Sequence, residues 1–364
     1  MTELQSIKSA IKTETARHPW GALTTIHHPA GLSDASAQIA KDSQTIVALK
    51  LYEKNETYRT IYALINTQGE TTDILHETAG IMPALFFSPT GELWVSVTPY
   101  HPDKELEITI PFRNRAANPD PKPNRPFVGD YAGTTDTCAL FHSEDIFSDT
   151  KPDKLLRIDF KDGKLKAKKN FKIPLPKGNA PLIQDNQLHL FRYFGINGIL
   201  HRTLDMDATV LSEQTMPLPD ADYSHFKIYK IENDRYYYFA FRENQVCAGN
   251  VTPDGKKTEE IIKTGIEMFN LFKPVPLGKN TFLFQFNYET GNGWAVVQND
   301  RIKHLYTGGS DGYKDHITSE TVPLRGDLIL SGISAPAGDT YSIVFYPNTK
   351  PKTEAYVLTK KLNP

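Results

Sequence analysis

Tight polar turns recur along this chain at a nearly constant spacing, and each of them precedes an apolar or aromatic run. Counted from one residue in each turn, the intervals are 48, 46, 50, 48, 45 and 47 residues. A period of this length is typical of an array of like supersecondary units, whereas 364 residues without a repeat would suggest two or three separate cores. The counted residues are Asp42, Thr90, Asp136, Asn186, Asp234, Lys279 and Gly326.

The runs that follow these turns have the composition of buried strands. Thr45–Leu49 and Tyr236–Phe239 are almost continuously apolar, which favours sheets that are covered on both faces. Further apolar runs, separated by polar turns, complete about four short strands in each unit. The segment Ser88–Val95 resembles the turn-and-strand pattern of many propeller families. We therefore expect an all-β chain folded as a seven-bladed β-propeller.

The units predict where the propeller begins and how it closes. An extension at 1–30 would precede a single domain at 31–364, whose blades start near 33, 80, 126, 178, 224, 269 and 316. In the extension, Leu4, Ile7 and Ile11 predict a short helix that Pro19 would end, and Ala22–His27 predict a strand. This extension would cap an edge or reinforce the ring. The first and last units each contain four predicted strands, so no strand exchanged between the chain ends is predicted.

The start of each innermost strand lines the central channel of a propeller. The residues about seven positions before each turn are therefore the candidates for the channel lining, and they include both polar and apolar types. We expect a water-filled channel with polar walls. Propeller lactonases hold calcium with carboxylate and amide oxygens, so a calcium site is the alternative for the polar members. The candidates are Asp34, Met82, Phe127, Asn179, His225, Asn270 and His316, with Asp315 beside the last.

Charge and motifs exclude several classes of function. Lys and Arg number 41 against 43 Asp and Glu, so no global field favours nucleic acid or an anionic membrane. Cys138 and Cys247 are too few for a disulfide framework. Since no apolar leader or long apolar stretch is present, we expect a soluble, cytoplasmic protein. The chain lacks a nucleophile elbow, a phosphate-binding glycine loop and a zinc-protease motif.

These observations favour a non-enzymatic protein that binds a protein partner through the propeller's loop face. A proline-rich loop between 113 and 125 would supply a local positive charge for an acidic surface. One version of this hypothesis is a bacterial immunity or antitoxin protein. The alternative is a hydrolase or lyase that acts on a small polar or sugar-like molecule in the channel, with His225 and His316 as the candidate catalysts. The basic residues of the loop are Arg113, Arg115, Lys122 and Arg125.

Overall fold

A computed structural model describes most of the chain as short antiparallel strands. It describes residues 10–28, 32–52, 58–76, 84–97, 108–111, 130–143, 154–162, 164–172, 181–220, 222–278, 280–309, 312–324, 328–348 and 353–362. Within these ranges the strands form seven sheets, and Gly195–Asn197 forms a short 3-10 turn. The all-β prediction is confirmed.

The sheets follow one another along the sequence. Sheet 1 contains β3 (Leu32–Lys41), β4 (Gln44–Tyr52), β5 (Tyr58–Asn66) and β6 (Thr71–His76), and sheet 2 contains β7 (Ala84–Phe87), β8 (Leu93–Val97) and β9 (Ile108–Pro111). Sheet 3 contains β10 (Asp130–Thr134), β11 (Cys138–Ser143), β12 (Lys154–Lys161) and β13 (Lys164–Lys172). Sheet 4 contains β14 (Leu182–Gln184), β15 (Gln187–Tyr193), β16 (Ile199–Leu204) and β17 (Val210–Met216).

The remaining three sheets use the rest of the chain and both of its ends. Sheet 5 contains β18 (His225–Glu232), β19 (Arg235–Arg242), β20 (Gln245–Val251) and β21 (Lys257–Lys263). Sheet 6 contains β22 (Met268–Leu271), β23 (Val275–Pro276), β24 (Thr281–Tyr288), β25 (Gly291–Gln298), β26 (Arg301–Gly309), β27 (Gly312–Asp315) and β28 (Thr321–Val322). Sheet 7 contains β29 (Leu328–Ala337), β30 (Thr340–Pro347), β31 (Glu354–Lys361), β2 (Gly21–His27) and β1 (Lys12–His18).

The polar turns of the repeat make the first hairpin of several sheets. Asp185 and Asn186 join β14 to β15 with φ angles of 51° and 57°, and Asn233 and Asp234 join β18 to β19 with φ angles of 52° and 57°. Two successive residues with positive φ define the tight turn whose twist matches antiparallel strands, and Asn and Asp tolerate that conformation. The sequence therefore specifies these hairpins locally.

The sheets are arranged as a closed ring. The first strand of each sheet contacts the first strands of its neighbours, and β29 of sheet 7 contacts β3 of sheet 1. Hydrogen bonds repeat the sequence period from one sheet to the next: the Asn186 amide donates to Asp136 over 2.9 Å and the Asn250 amide donates to Asp300 over 2.8 Å, and both pairs are 50 residues apart.

Apolar residues of each strand pack alternately against the two neighbouring sheets. In β4, Val47 and Leu49 belong to a cluster with strands of sheet 7, whereas Ile46 and Ala48 belong to a cluster with Leu85 of sheet 2. This alternation follows from the two-residue period of a strand. It explains why the strand sequence is continuously apolar, as predicted.

The closure of the ring differs from the expectation. Strand β2 pairs antiparallel with β31, with Leu23 opposite Leu358, and β1 pairs with β2. Sheet 7 therefore takes two strands from the N-terminal region, so the prediction that the last unit supplies four strands itself is wrong. The predicted strand at 22–27 is present as β2. Residues 12–18 form β1 instead of the end of a helix, because an isolated short helix is marginal whereas backbone pairing with β2 is available. Residues 1–9 lie outside the described part.

The last unit also starts later than predicted. Strands β27 and β28 continue sheet 6, so residues near 316 do not begin an innermost strand, and β29 begins at Leu328. The spacing of the turns predicts the first hairpin of the unit near Gly326, whereas that hairpin lies at Gly338 and Asp339. In sheet 2 three strands are described, and the proline-rich segment that was predicted to replace a fourth lies outside the described residues.

Candidate functional site

One edge of the ring, which we call the loop face, collects the starts of the innermost strands and the connections between second and third strands. Pairing of Met268 with Tyr288 places the start of β22 beside the β24–β25 turn on this face. A groove of 530 Å³ lies there between sheets 6 and 7. Its walls include Phe269, Phe272, Tyr288, Leu328 and Tyr346.

Large apolar side chains are exposed on the loop face. Ile196 in the β15–β16 connection is 79% exposed, and Phe269 at the start of β22 is 56% exposed. Phe194 and Phe272 are exposed to a lesser degree. These four make up half of the eight large hydrophobic residues that are exposed in the described part of the chain. Exposed apolar residues gathered on one face are typical of an interaction surface.

Two of the predicted channel residues lie at this face. His225 is the first residue of β18, and its buried Nδ1 has no hydrogen-bond partner within the described residues. Burial lowers the pKa of His225, and a hydrogen bond with the backbone of Phe269 opposes that effect. Asn270 lies in β22 with an exposed side chain. The structure therefore places both near the loop face on neighbouring sheets.

The other predicted pair lies away from the ring axis. Asp315 is fully buried at the end of β27, an outer strand of sheet 6, and His316 follows it. The placement of these residues at the start of an innermost strand is thus corrected, since β27 and β28 extend the sheet outward. His316 Nε2 lies 2.8 Å from Thr307 Oγ1, and burial lowers the pKa of the imidazole.

The remaining site predictions fall on segments that the structure does not describe. They are Met82, Phe127, Asn179, Arg113, Arg115, Lys122 and Arg125, and of Asp34 only the backbone in β3 is described. In the described ranges, no group of three His, Cys, Asp or Glu side chains is arranged to hold a metal ion. No helix in those same ranges has the length and apolar character required to cross a membrane.

Asp315 anchors a histidine that the sequence analysis did not single out. Its carboxylate accepts hydrogen bonds from His304 Nδ1 at 2.8 Å, from the Leu305 and Ile317 amides, and from the Thr318 hydroxyl at 2.7 Å. Burial alone would raise the pKa of Asp315, but these donors hold it at about 2. A buried carboxylate with this many donors fixes the orientation of the imidazole.

His304 lines a rim pocket of 890 Å³ between sheet 6 and the N-terminal hairpin. The Lys360 ammonium lies in the same pocket, 4.0 Å from the ring centroid of Trp20 and 3.6 Å from Glu320. Burial lowers the pKa of Lys360, and Glu320 opposes the shift. The sequence carries no local signal for this site, because the pairing of β2 with β31 brings Trp20 to Lys360 and the packing of sheet 6 against sheet 7 adds His304.

The axial cavity is a third site. It has a volume of 670 Å³, and its lining takes residues from all seven described sheets, mostly from their innermost strands. The described lining is mainly apolar, including Leu85, Leu182 and Ile333, so it differs from the polar wall that was predicted. Lys273 crosses to sheet 3, where its ammonium donates to the carbonyl oxygens of Tyr131 at 2.9 Å and Ala132 at 2.5 Å.

A ring of successive antiparallel sheets whose first strands surround one cavity defines a β-propeller, and this chain has that fold. No family model and no curated protein matches the sequence. Prolyl oligopeptidase B from Galerina marginata is similar in structure, with a TM-score of 0.50, 8% identity, and coverage of 99% of this chain and 56% of that one. The β-propeller domain of the trilobed protease from Pyrococcus furiosus has a TM-score of 0.49 and 11% identity, with 92% and 98% covered. At 8% identity the likeness to prolyl oligopeptidase B concerns the fold alone.

Proposed function

We propose that this chain is a seven-bladed propeller that binds a protein partner through its loop face. The observation that carries the proposal is the exposure of Phe194, Ile196, Phe269 and Phe272 on that face. Aromatic side chains are enriched among the residues that contribute most to protein interfaces. The seven described sheets would serve as a rigid scaffold for the loops that carry these side chains.

The groove between sheets 6 and 7 indicates the chemistry of the partner. Its apolar walls include Phe269, Phe272 and Leu328, and its rim carries the exposed carboxylate of Glu289 and the amide of Asn287. A partner that inserts an aliphatic or aromatic side chain, flanked by a hydrogen-bond donor or a basic residue, fits this arrangement. The basic loop at 113–125 would add contacts with an acidic part of the partner.

Substitution of Phe269 by Glu tests the loop face, and Leu211→Glu is the matched control. Leu211 is 52% exposed on β17, the outermost strand of sheet 4, so both changes place one carboxylate on the surface. Tagged variants are used to capture proteins from the native host at physiological salt, and the captured proteins are quantified by mass spectrometry. We expect one stoichiometric protein with wild type and Leu211→Glu that is lost with Phe269→Glu. Equal capture by all three chains would refute the proposal.

The basic loop is tested separately by replacing Arg113, Arg115 and Arg125 with Ala. If the loop contacts an acidic surface, the triple variant weakens capture and makes it less sensitive to salt. A toxin as the captured protein would support the immunity version of the proposal, and a partner of another kind would exclude that version. Unchanged binding by the triple variant would exclude the loop from the interface.

The alternative function, a hydrolase or lyase, is favoured by one observation, the contact of the buried Asp315 with His304, whose imidazole lines the rim pocket. Because Nδ1 of His304 donates to Asp315, Nε2 is the nitrogen that can accept a proton. Lys360 in the same pocket could stabilise negative charge on a substrate. In this alternative, His304 is the general base for a small polar substrate, and the rim pocket replaces the channel as the site.

Chromogenic ester, lactone and glycoside substrates test this alternative. Loss of turnover in His304→Gln, with turnover retained in His27→Gln, would support it. His27 lies outside the rim pocket, on β2, and faces Glu354 at 3.9 Å. Absence of turnover by the wild-type protein across these substrates, or equal turnover by both variants, would count against it.

A further inference from the structure

The outermost described strand of sheet 3 carries a concentrated positive charge. Strand β13 contains five Lys residues in nine positions, and no Asp or Glu occurs from residue 163 to residue 184. The β12–β13 hairpin, residues 154–172, has eight Lys and Arg against two Asp, whereas the complete chain has a net charge of -2. The hairpin is therefore opposite in charge to the rest of the molecule. The Lys residues of β13 are Lys164, Lys166, Lys168, Lys169 and Lys172.

The outer strands of other sheets do not share this charge. Strands β6 and β17 contain no Lys and one acidic residue each, and β21 contains two Lys and two Glu. Charged side chains on an edge strand discourage pairing with another chain. Since these three edges meet that need without a net positive charge, protection of the edge does not account for the charge of β13.

The pairing of β13 with β12 places like charges directly opposite each other. Lys164 lies opposite Lys161, and Lys172 lies opposite Lys154, at the two ends of the ladder. Like charges in directly opposite positions destabilise a pair of strands. An anion bound from outside would relieve this repulsion.

Acidic neighbours balance only the middle of the hairpin. Arg157, which lies opposite Lys169, forms ion pairs with Asp159 at 2.5 Å and with Asp207 of the β16–β17 turn at 2.8 Å. Lys161 is exposed and forms no ion pair with an acidic side chain of the described residues. The described part of the chain therefore does not neutralise the charge at the end of β12.

The composition and shape of the hairpin favour a phosphate backbone over a protein. The register of the ladder shifts between Ile158 and Phe160, and a bulge at an edge discourages the addition of a further strand. Lys is depleted in protein interfaces, where aromatic residues and Arg are enriched, and Phe171 is the one aromatic residue of β13. Phosphate groups, in contrast, are bound by Lys through charge alone.

The length of the strand fits such a partner. Nine residues at about 3.3 Å each span about 30 Å. One turn of duplex DNA is about 34 Å long, so a strand of this length reaches phosphates along nearly one turn.

We propose that the β12–β13 hairpin binds the phosphate backbone of nucleic acid without sequence preference. The Lys residues of β13 would contact successive phosphates, and no base would be read. The hairpin is separate from the loop-face groove between sheets 6 and 7, so this proposal and the protein-binding proposal can fail independently. The near balance of 41 basic and 43 acidic residues conceals the hairpin, because acidic residues elsewhere offset its charge.

The probe is a fluorescein-labelled DNA duplex of about two helical turns, and fluorescence anisotropy measures its affinity between about 50 and 200 mM salt. About five phosphate contacts predict that a plot of log K against log salt has a slope between about -4 and -5. The combined change Lys164→Gln, Lys166→Gln and Lys168→Gln is expected to reduce the magnitude of the slope by about 3 and to weaken binding about 100-fold at about 0.1 M salt.

The matched control neutralises three exposed Lys residues of sheets 5 and 6 and their turns: Lys256→Gln, Lys263→Gln and Lys303→Gln. It changes the net charge equally and is expected to retain the slope. The β13 variant is expected to melt no lower than the wild type, because Lys164 lies opposite Lys161 and their repulsion is removed. A second variant, Lys161→Gln, alters β12 alone and is expected to reduce the slope by about 1.

Competition separates nucleic acid from other anionic partners. Unlabelled duplex, a poly-glutamate peptide and phosphatidylserine vesicles are added at equal concentrations of negative charge, and the duplex is expected to displace the labelled DNA at the lowest concentration. Stronger competition by the peptide or by the vesicles would assign the hairpin to an acidic protein or to a membrane and overturn the proposal. Equal weakening by the β13 variant and its control, or no binding of the duplex at about 50 mM salt, would also overturn it.

Discussion

Trp20 connects the N-terminal hairpin to the rest of the ring, so Trp20→Ala tests how the ring is closed. The indole is 4% exposed and makes edge contacts with Trp294, Tyr306 and Tyr341 at centroid distances of 5.8, 5.3 and 5.8 Å. The Lys360 ammonium lies over its ring. Replacing a buried aromatic residue by Ala costs about 3–5 kcal/mol, and loss of the cation–π contact adds about 1 kcal/mol.

The matched control is Trp94→Ala. Trp94 is 5% exposed and packs edge-on against Phe160 at 5.2 Å, but it lies in sheet 2, far along the chain from the closing strands. Chemical denaturation measures the free energy of unfolding of both variants, and hydrogen exchange with mass spectrometry measures amide protection. Both variants are expected to lose several kcal/mol. In Trp20→Ala alone, protection of residues 12–28 is expected to fall below that of the other strands.

The reason for this difference is the position of the hairpin. Strands β1 and β2 are held by one ladder to β31 and by side chains such as Trp20, so weakening the side-chain contacts lowers the free energy of local opening. If residues 12–28 exchange equally in the two variants, Trp20 does not hold the hairpin, and the account of ring closure is refuted. A fall in global stability alone would not distinguish the two variants.

Three further predictions concern buried groups and backbone space. Burial, with His189 nearby, lowers the pKa of His201 to about 4 in the folded protein. As the pH falls, the imidazole therefore takes up a proton at a higher pH in the unfolded chain than in the folded one. The free energy of unfolding should fall by about 3 kcal/mol between pH 6.5 and pH 4 for this reason. Urea titrations should show that His201→Gln flattens this dependence. Gly21→Ala should prevent β2 from pairing, since a Cβ would lie 2.1 Å from the Thr359 carbonyl oxygen and φ is +152°, and calorimetry should show a large loss of stability. Asp315→Asn should cost about 3 kcal/mol in denaturant unfolding by weakening charge-assisted hydrogen bonds, and an unchanged midpoint would contradict the role of its carboxylate.

The predicted position of the last unit is wrong because the spacing of turns does not assign each strand to a sheet. The turn near Gly326 continued the sequence period, yet β27 and β28 occupy the preceding residues as outer strands of sheet 6. Counting those residues as an innermost strand gave the last unit four strands and removed the need for β2. The wrong placement of Asp315 and His316 in the channel has the same cause. A one-dimensional period does not indicate which sheet an extra hairpin joins.

The sequence by itself determined the local elements of this protein. Asn and Asp at the turns tolerate positive φ, and continuously apolar runs such as Ile46–Leu49 require cover on both faces, so hairpins and stacked sheets follow from short-range chemistry. Only the tertiary structure decided the closure of the ring, the His304–Asp315 pair and the apolar axial cavity. In the closure, Leu23 meets Leu358 through a backbone ladder that many strand sequences would accept. Pairings between distant segments depend on which strand edges still have unpaired backbone groups once the other sheets have formed. No local sequence pattern determines which edges these are.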